Sequence, residues 1–185
     1  MESGRRHCKK GEADLLLGAY YSKDRAKTLA YTDSLITVED VLFSMKHNNI
    51  RFKTLHDLKQ YRIGVLKGAV HGKEFDEADY LNKNDVLNRE LNIRKLQAGR
   101  IDLMAGPKDV VFHELQRDYP ELVDEIRVLS PPIGKNDVYI CVSKKRKGYK
   151  QLIESFNSKL SEVKADGTYE RIMRKHGLVN VQNDS

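Results

Sequence analysis

Tryptophan is absent from this 185-residue chain, cysteine occurs twice and proline four times. Cys8 and Cys141 lie far apart and lack metal-ligand spacing, and no two of the six histidines sit at i and i+4 within one helix. These scarcities leave nothing that calls for a metal or another cofactor. No apolar run approaches the roughly 20 residues a membrane-spanning helix needs, and Met1 to Lys10 is polar and basic, without the apolar stretch of a secretory signal. There is no internal repeat and no low-complexity segment.

What remains is the composition of a soluble globular protein, 39% hydrophobic and 32% charged. The formal charge is +6, and the densest basic run, Lys144 to Lys147 followed by Gly148, reads as a solvated turn. No nucleic-acid motif accompanies it, so a nucleic-acid partner is not expected. Cys141 falls within the apolar run Val138 to Val142, the setting of a buried, inert thiol.

Short β-like runs alternate with helical patterns, which argues for an α/β architecture. Strands are expected at Asp14 to Leu17, stopping at Gly18; at Val38 to Met45, interrupted by Glu39 and Asp40; and at Arg62 to Leu66. A helix over Lys73 to Asp79 follows the loop opened by Gly68 and Gly72. The next helix starts with Asp85 as its N-cap, runs to Ala98 and ends at Gly99. Ile101 to Ala105 is a strand and Lys108 to Asp118 a helix stopped before Pro120. Strands at Ile126 to Leu129 and Asp137 to Ser143 flank a turn over Ser130 to Gly134. Tyr149, Leu152, Ile153, Phe156, Leu160 and Val163 repeat at helical spacing, giving one long amphipathic helix that halts at Gly167. Thr168 then caps a short final helix ending before Gly177.

Five segments carry a family likeness. Gly11 to Gly18, GEADLLLG, resembles a G-x-x-D strand entry, and Ser22 to Lys27 resembles a T-P-E-R turn. Leu55 to Leu66, LHDLKQYRIGVL, looks like the segment that opens a second lobe. Leu96 to Asp102 is similar to an L-x-x-G-R-x-D helix-to-strand signature. Phe156-Asn157 with Ala165 to Tyr169 resembles a C-terminal helix pair. In this order and spacing the chain, from about Gly11 to Leu178, resembles the extracellular solute-binding proteins of amino-acid ABC transporters.

The resemblance implies a periplasmic-binding-protein-like fold: two α/β lobes joined by two crossing strands and closing over a ligand. Lobe one is expected at residues 1–46 and 133–185, lobe two at 47–132. Family members begin with a strand, a helix and another strand, then a helix leading into the G-x-x-D piece, whereas only Met1 to Lys10 precedes Gly11 here. The first lobe is therefore expected to be incomplete. The chain is then a fragment, a reading begun downstream of the natural start, or a protein completed by a second copy through strand exchange.

The same resemblance assigns a site. Arg25 matches the arginine that holds the ligand carboxylate by paired hydrogen bonds, and Ser22 matches the threonine of that turn, where it also stands ready to cap the helix bearing Arg25. Gly18, Ala19 and Tyr20 line the cleft through backbone, and Tyr20 replaces a small hydroxyl; Tyr20 and Tyr21 either stack on a ligand or pack on each other. In lobe two Gly68, Ala69 and Val70 occupy the place of a G-T-T segment at a helix N-terminus, a setting suited to an anion, with His71 beside them. An acidic partner for the ligand's α-amino group is expected near Pro107, which offers no charge; Asp109 is the nearest substitute.

The function implied is capture of an amino acid or similar small carboxylate in the periplasm, for delivery to the membrane permease of an ABC transporter. No nucleophile with its base or poised carboxylate pair suggests catalysis, so a non-enzyme is expected. The alternatives are a ligand-sensing domain for signalling, or a dehydratase-like enzyme on the same fold.

Overall fold

The computed structural model describes residues 13–176 and 178. Met1 to Lys10, Cys8, Gly11, Glu12 and Gly177 lie outside them. Two compact units divide the chain at Ile36/Thr37 and at Asn136/Asp137. The sequence reading put these crossings at 46/47 and 132/133. The first lies earlier because the strand Ile36–Met45 pairs, from Asp40 onward, with the strand Leu103–Pro107 of the second unit.

Unit 2, Thr37 to Asn136, is built on five strands. These are β3 (Ile36–Met45), β4 (Arg62–Leu66), β5 (Asn82–Val86), β6 (Leu103–Pro107) and the first part of β7 (Ile126–Ser143). β4 runs parallel to β5, with Arg62 opposite Asn82, and parallel to β6, with Ile63 opposite Leu103. β3 is antiparallel to β6, Phe43 facing Met104, and β7 lies on its other flank. Alternation along these strands supplies both faces with apolar groups. Leu42, Ile63, Leu103 and Phe75 share one cluster, while Val41, Phe43, Met104, Ile93 and Leu115 share another. Phe75 comes from α2 (Lys73–Glu77), Ile93 from α3 (Arg89–Gln97) and Leu115 from α4 (Lys108–Asp118).

Two expectations fail within this unit. Asp85 does not cap a helix: it lies in β5, a polar strand whose pairing with β4 overrides its weak local preference. The cap is Asn88, whose side-chain oxygen accepts the Leu91 N–H at 2.8 Å. Ser130 to Gly134 is not a turn either, since β7 runs unbroken from Ile126 to Ser143. The L-x-x-G-R-x-D signature has a structural basis here. Arg62 donates through Nε and Nη2 to the two carboxylate oxygens of Asp102, at 3.0 and 2.8 Å, and through Nη2 to the Gly99 carbonyl.

Unit 1 holds β1 (Leu15–Tyr20), α1 (Lys23–Ala26), β2 (Leu29–Tyr31), the end of β7, α5 (Tyr149–Ala165) and α6 (Thr168–Lys175). β1 and β2 both pair antiparallel with β7, Leu16 and Tyr31 each opposite Cys141. β1 continues through Gly18 instead of stopping there, with a register shift between Leu16 and Ala19 that the glycine accommodates at a φ of 73°. Thr168 is the first residue of α6, not its cap; its N–H donates to Asp166 Oδ1 at 2.8 Å. The C-terminal helix pair is anchored by polar contacts to the segment before β3. Asn157 accepts the Asp33 N–H at 2.9 Å, and the Tyr169 hydroxyl donates to the Leu35 carbonyl at 2.6 Å. The basic turn after β7 is tied to the start of β1 by Arg146 and Asp14, 2.7 Å apart.

Candidate functional site

Arg25 sits on α1, a single helical turn between β1 and β2. Its Nη1 donates to the Tyr20 carbonyl at 2.9 Å, which draws the half-buried guanidinium back toward the end of β1. It has no carboxylate partner among the described residues. An arginine held by one backbone bond, with further donors unused, retains the planar fork that accepts a carboxylate. Ser22 is the residue before α1, yet its hydroxyl makes no capping bond; the turn closes through Ala26 N–H to Ser22 O at 2.9 Å. The Ser22 N–H donates to the Tyr31 hydroxyl at 3.3 Å.

Ala19 is 5% exposed and its side chain belongs to the small core with Leu29 and Cys141. Tyr20 contributes its carbonyl to Arg25, as above. Tyr21 does not pack on Tyr20. It is half-exposed and leans on Tyr31, ring centroids 5.2 Å apart, and Tyr31 meets Tyr139 edge-on at 5.4 Å. This aromatic run beside Arg25 draws on three separate segments, so no local motif announces it. Burial, ahead of other causes, pushes the Tyr31 and Tyr139 hydroxyls above the usual phenol range, which keeps them neutral donors and acceptors at physiological pH.

In unit 2 the loop from Gly68 to Gly72 connects β4 to α2. Gly68 adopts a φ of 71°, and Ala69 N–H donates to the Leu66 carbonyl at 2.9 Å. The His71 and Gly72 N–H groups both donate to the Asp76 carboxylate, at 3.2 and 3.3 Å. Those donors are therefore already engaged, and α2 is too short to present a strong dipole. The Gly68 and Val70 N–H groups have no partner among the described residues, and the Val70 side chain is exposed. His71 is 4% exposed, with Nδ1 at 2.9 Å from Asp40 Oδ1.

Pro107 ends β6 and precedes α4, and Asp109 lies in the first turn of that helix with an exposed side chain. The carboxylate opposite Pro107 in the β3–β6 pairing is Asp40, whose oxygens are met by His71 Nδ1 and the Asn136 amide. Among the described residues, no group of three or more His, Cys, Asp or Glu is placed to hold a metal ion.

Sequence comparison matches residues 3–179 to the model of the bacterial extracellular solute-binding proteins, family 3. The chain is 29% identical over 163 residues to the ABC transporter arginine-binding protein 1 of Escherichia coli K12, covering 85% of this chain and 63% of that one. It is 28% identical over 176 residues to the lysine/arginine/ornithine-binding periplasmic protein of the same strain, covering 86% and 62%. The chain thus spans less than two thirds of the length of these relatives. Among solved structures, the P235GK mutant of ArgBP from T. maritima superposes with a TM-score of 0.75 at 20% identity, covering 92% of this chain and 72% of that one. At that identity the likeness establishes the fold.

Proposed function

Given that the chain belongs to the bacterial extracellular solute-binding proteins, family 3, we propose that it captures an amino acid or similar small carboxylate in the periplasm for an ABC-type uptake system. Arg25 carries this reading. A half-buried guanidinium, braced on the Tyr20 carbonyl and without a carboxylate partner among the described residues, suits a ligand carboxylate. Ser22, Tyr20 and Ala19 shape the turn around it. Gly68, Ala69, Val70 and His71 form the loop that meets the rest of the solute, with the Gly68 and Val70 N–H groups as its available donors. The receiving partner is the membrane permease of the transporter, and the chain acts as a binding protein without catalysis.

Pro107 offers an ammonium group no carboxylate, so Asp109 stands in as the acid that pairs with an α-amino group. A solute with its carboxylate but without that amino group therefore binds nearly as well as the amino acid unless Asp109 takes part. We further propose that unit 1 is completed at its β1 edge by another strand, supplied by a second copy through exchange. Exposed Leu15 and Leu17 on that edge support this reading.

Calorimetric titration of the full chain with L-arginine, L-lysine, L-histidine and their deaminated counterparts tests the capture reading. Binding to at least one is expected. Arg25→Ala should weaken it by about tenfold or more, as loss of a charge-assisted pair does, and Arg25→Lys should restore part of it. Undiminished binding in Arg25→Ala would remove Arg25 from the site.

A further inference from the structure

Asp40 lies in the middle of β3 at 1% exposure, and solute capture through Arg25 makes no use of it. A carboxylate is kept in such a place only when its oxygens are met by hydrogen bonds. One oxygen lies 2.9 Å from His71 Nδ1, and the other accepts from the Asn136 amide at 2.8 Å. The same amide nitrogen donates to the His71 carbonyl at 2.9 Å. The imidazole stands edge-on to Phe75, ring centroids 5.7 Å apart, which fixes its remaining side against the core.

The backbone is equally confined. A Cβ on Gly134 would fall 1.9 Å from the His71 carbonyl oxygen, and one on Gly72 would fall 2.5 Å from that of Ile133. The loop is thus pressed main chain to main chain against β7, with no space for a side chain at either contact.

We infer that Asp40 and Asn136 are positioning residues for the 68–72 loop, acting through His71. Asp40 sits just inside the first crossing between the units, and Asn136 is the last residue before the second. The clamp therefore binds the loop to both strands on which the chain enters and leaves unit 2. It fixes where the Gly68 and Val70 N–H groups point, and with them the affinity for a solute. This role rests on the reading of the loop as ligand-facing, and it extends that reading to two residues that touch no solute.

The test needs no ligand for its decisive arm. Amide hydrogen exchange is followed by NMR in the full chain, wild type against Asn136→Ala and Asp40→Asn. In both variants exchange at His71 and Gly72 should quicken about tenfold, the size expected when a buried hydrogen bond is lost. Amides in the C-terminal turn of α3, Arg94 to Gln97, should stay within about twofold, because that turn frays locally with the clamp intact. Unchanged loop exchange, or exchange in that turn of α3 rising in parallel, overturns the clamp. Should Asn136→Ala fail to fold, Asp40→Asn is read by the same criterion. Titration with L-arginine forms the second arm: well below the variants' melting points, which the lost buried hydrogen bonds lower, they should still bind more weakly than wild type. If the wild-type chain binds none of the solutes titrated for the capture reading, that reading alone suffers, and the exchange pattern still decides the clamp.

Discussion

Unit 2 and unit 1 bury their apolar side chains very differently. In unit 2 both faces of the sheet are covered, and Leu42, Phe43, Ile63, Leu103, Met104 and Leu115 are wholly enclosed. Among its described residues unit 1 has one small cluster, around Ala19, Leu29 and Cys141. Its longest helix, α5, encloses no residue fully: the apolar stripe of Leu152, Ile153, Phe156, Leu160 and Val163 is only half-buried. A periodic stripe says which face a helix would bury. Whether that face is fully covered depends on elements elsewhere, and among the described residues of unit 1 these are few.

The contrast can be broken first by cavity formation. Phe75→Ala in unit 2 should cost about 3–5 kcal/mol, the range for emptying an enclosed aromatic site. Leu29→Ala should cost about 2 kcal/mol, the bottom of the range for leucine, because the thin layer around it can collapse or admit water. Urea denaturation of the two variants measures both. Equal losses would mean that unit 1 is as well enclosed as unit 2.

A smaller effect comes from Asp102. Hydrogen bonds from the Arg62 guanidinium, the main cause, hold its carboxyl below the usual aspartate range. A depressed acid contributes stability that is fully present above its unfolded value of about 3.9 and is lost as pH falls through the folded value. Asp102→Asn should therefore lower the stability of unit 2 at neutral pH, and the gap from wild type should close in acid, below about pH 4. A gap that persists in acid would point to packing and not to charge.

The smallest change in stability is expected on the exposed edge of unit 1. Leu17, 68% exposed, should accept lysine within about 0.5 kcal/mol. Sedimentation of the same variant sharpens the comparison. If β1 meets a second copy in solution, Leu17→Lys reduces the association while leaving the monomer's melt in place.

Sequence reading succeeded where local signals were sufficient. Arg62–Leu66 and Lys108–Asp118 are found as expected, since turn residues bracket the first and Pro120 stops the second. It missed β5 because Asn82 to Asp85 shows no alternation of apolar groups, and only parallel pairing with β4 makes a strand of it. It split β7 at two prolines whose local turn preference yields to the sheet. At the site, the turn bearing Arg25 was recognisable, whereas the neighbouring aromatic run was not, since positions 21, 31 and 139 meet only through pairing with β7. Asp40 was legible merely as an interruption of an apolar strand. Its partners lie 31 and 96 residues away, beyond the reach of any local pattern.

β7 also sets a limit on how this chain can vary over time. Its eighteen residues are read in pairs, the early ones beside β3 and the late ones against β1 and β2. Loops can gain or lose a residue at modest cost, but a single insertion here would turn every later side chain to the opposite face. Cys141 and Val142 would exchange surroundings, and so would each neighbour after them. Descendants of this sequence are thus free to change the letters of β7 far more readily than its length, and the strand serves the protein as a ruler.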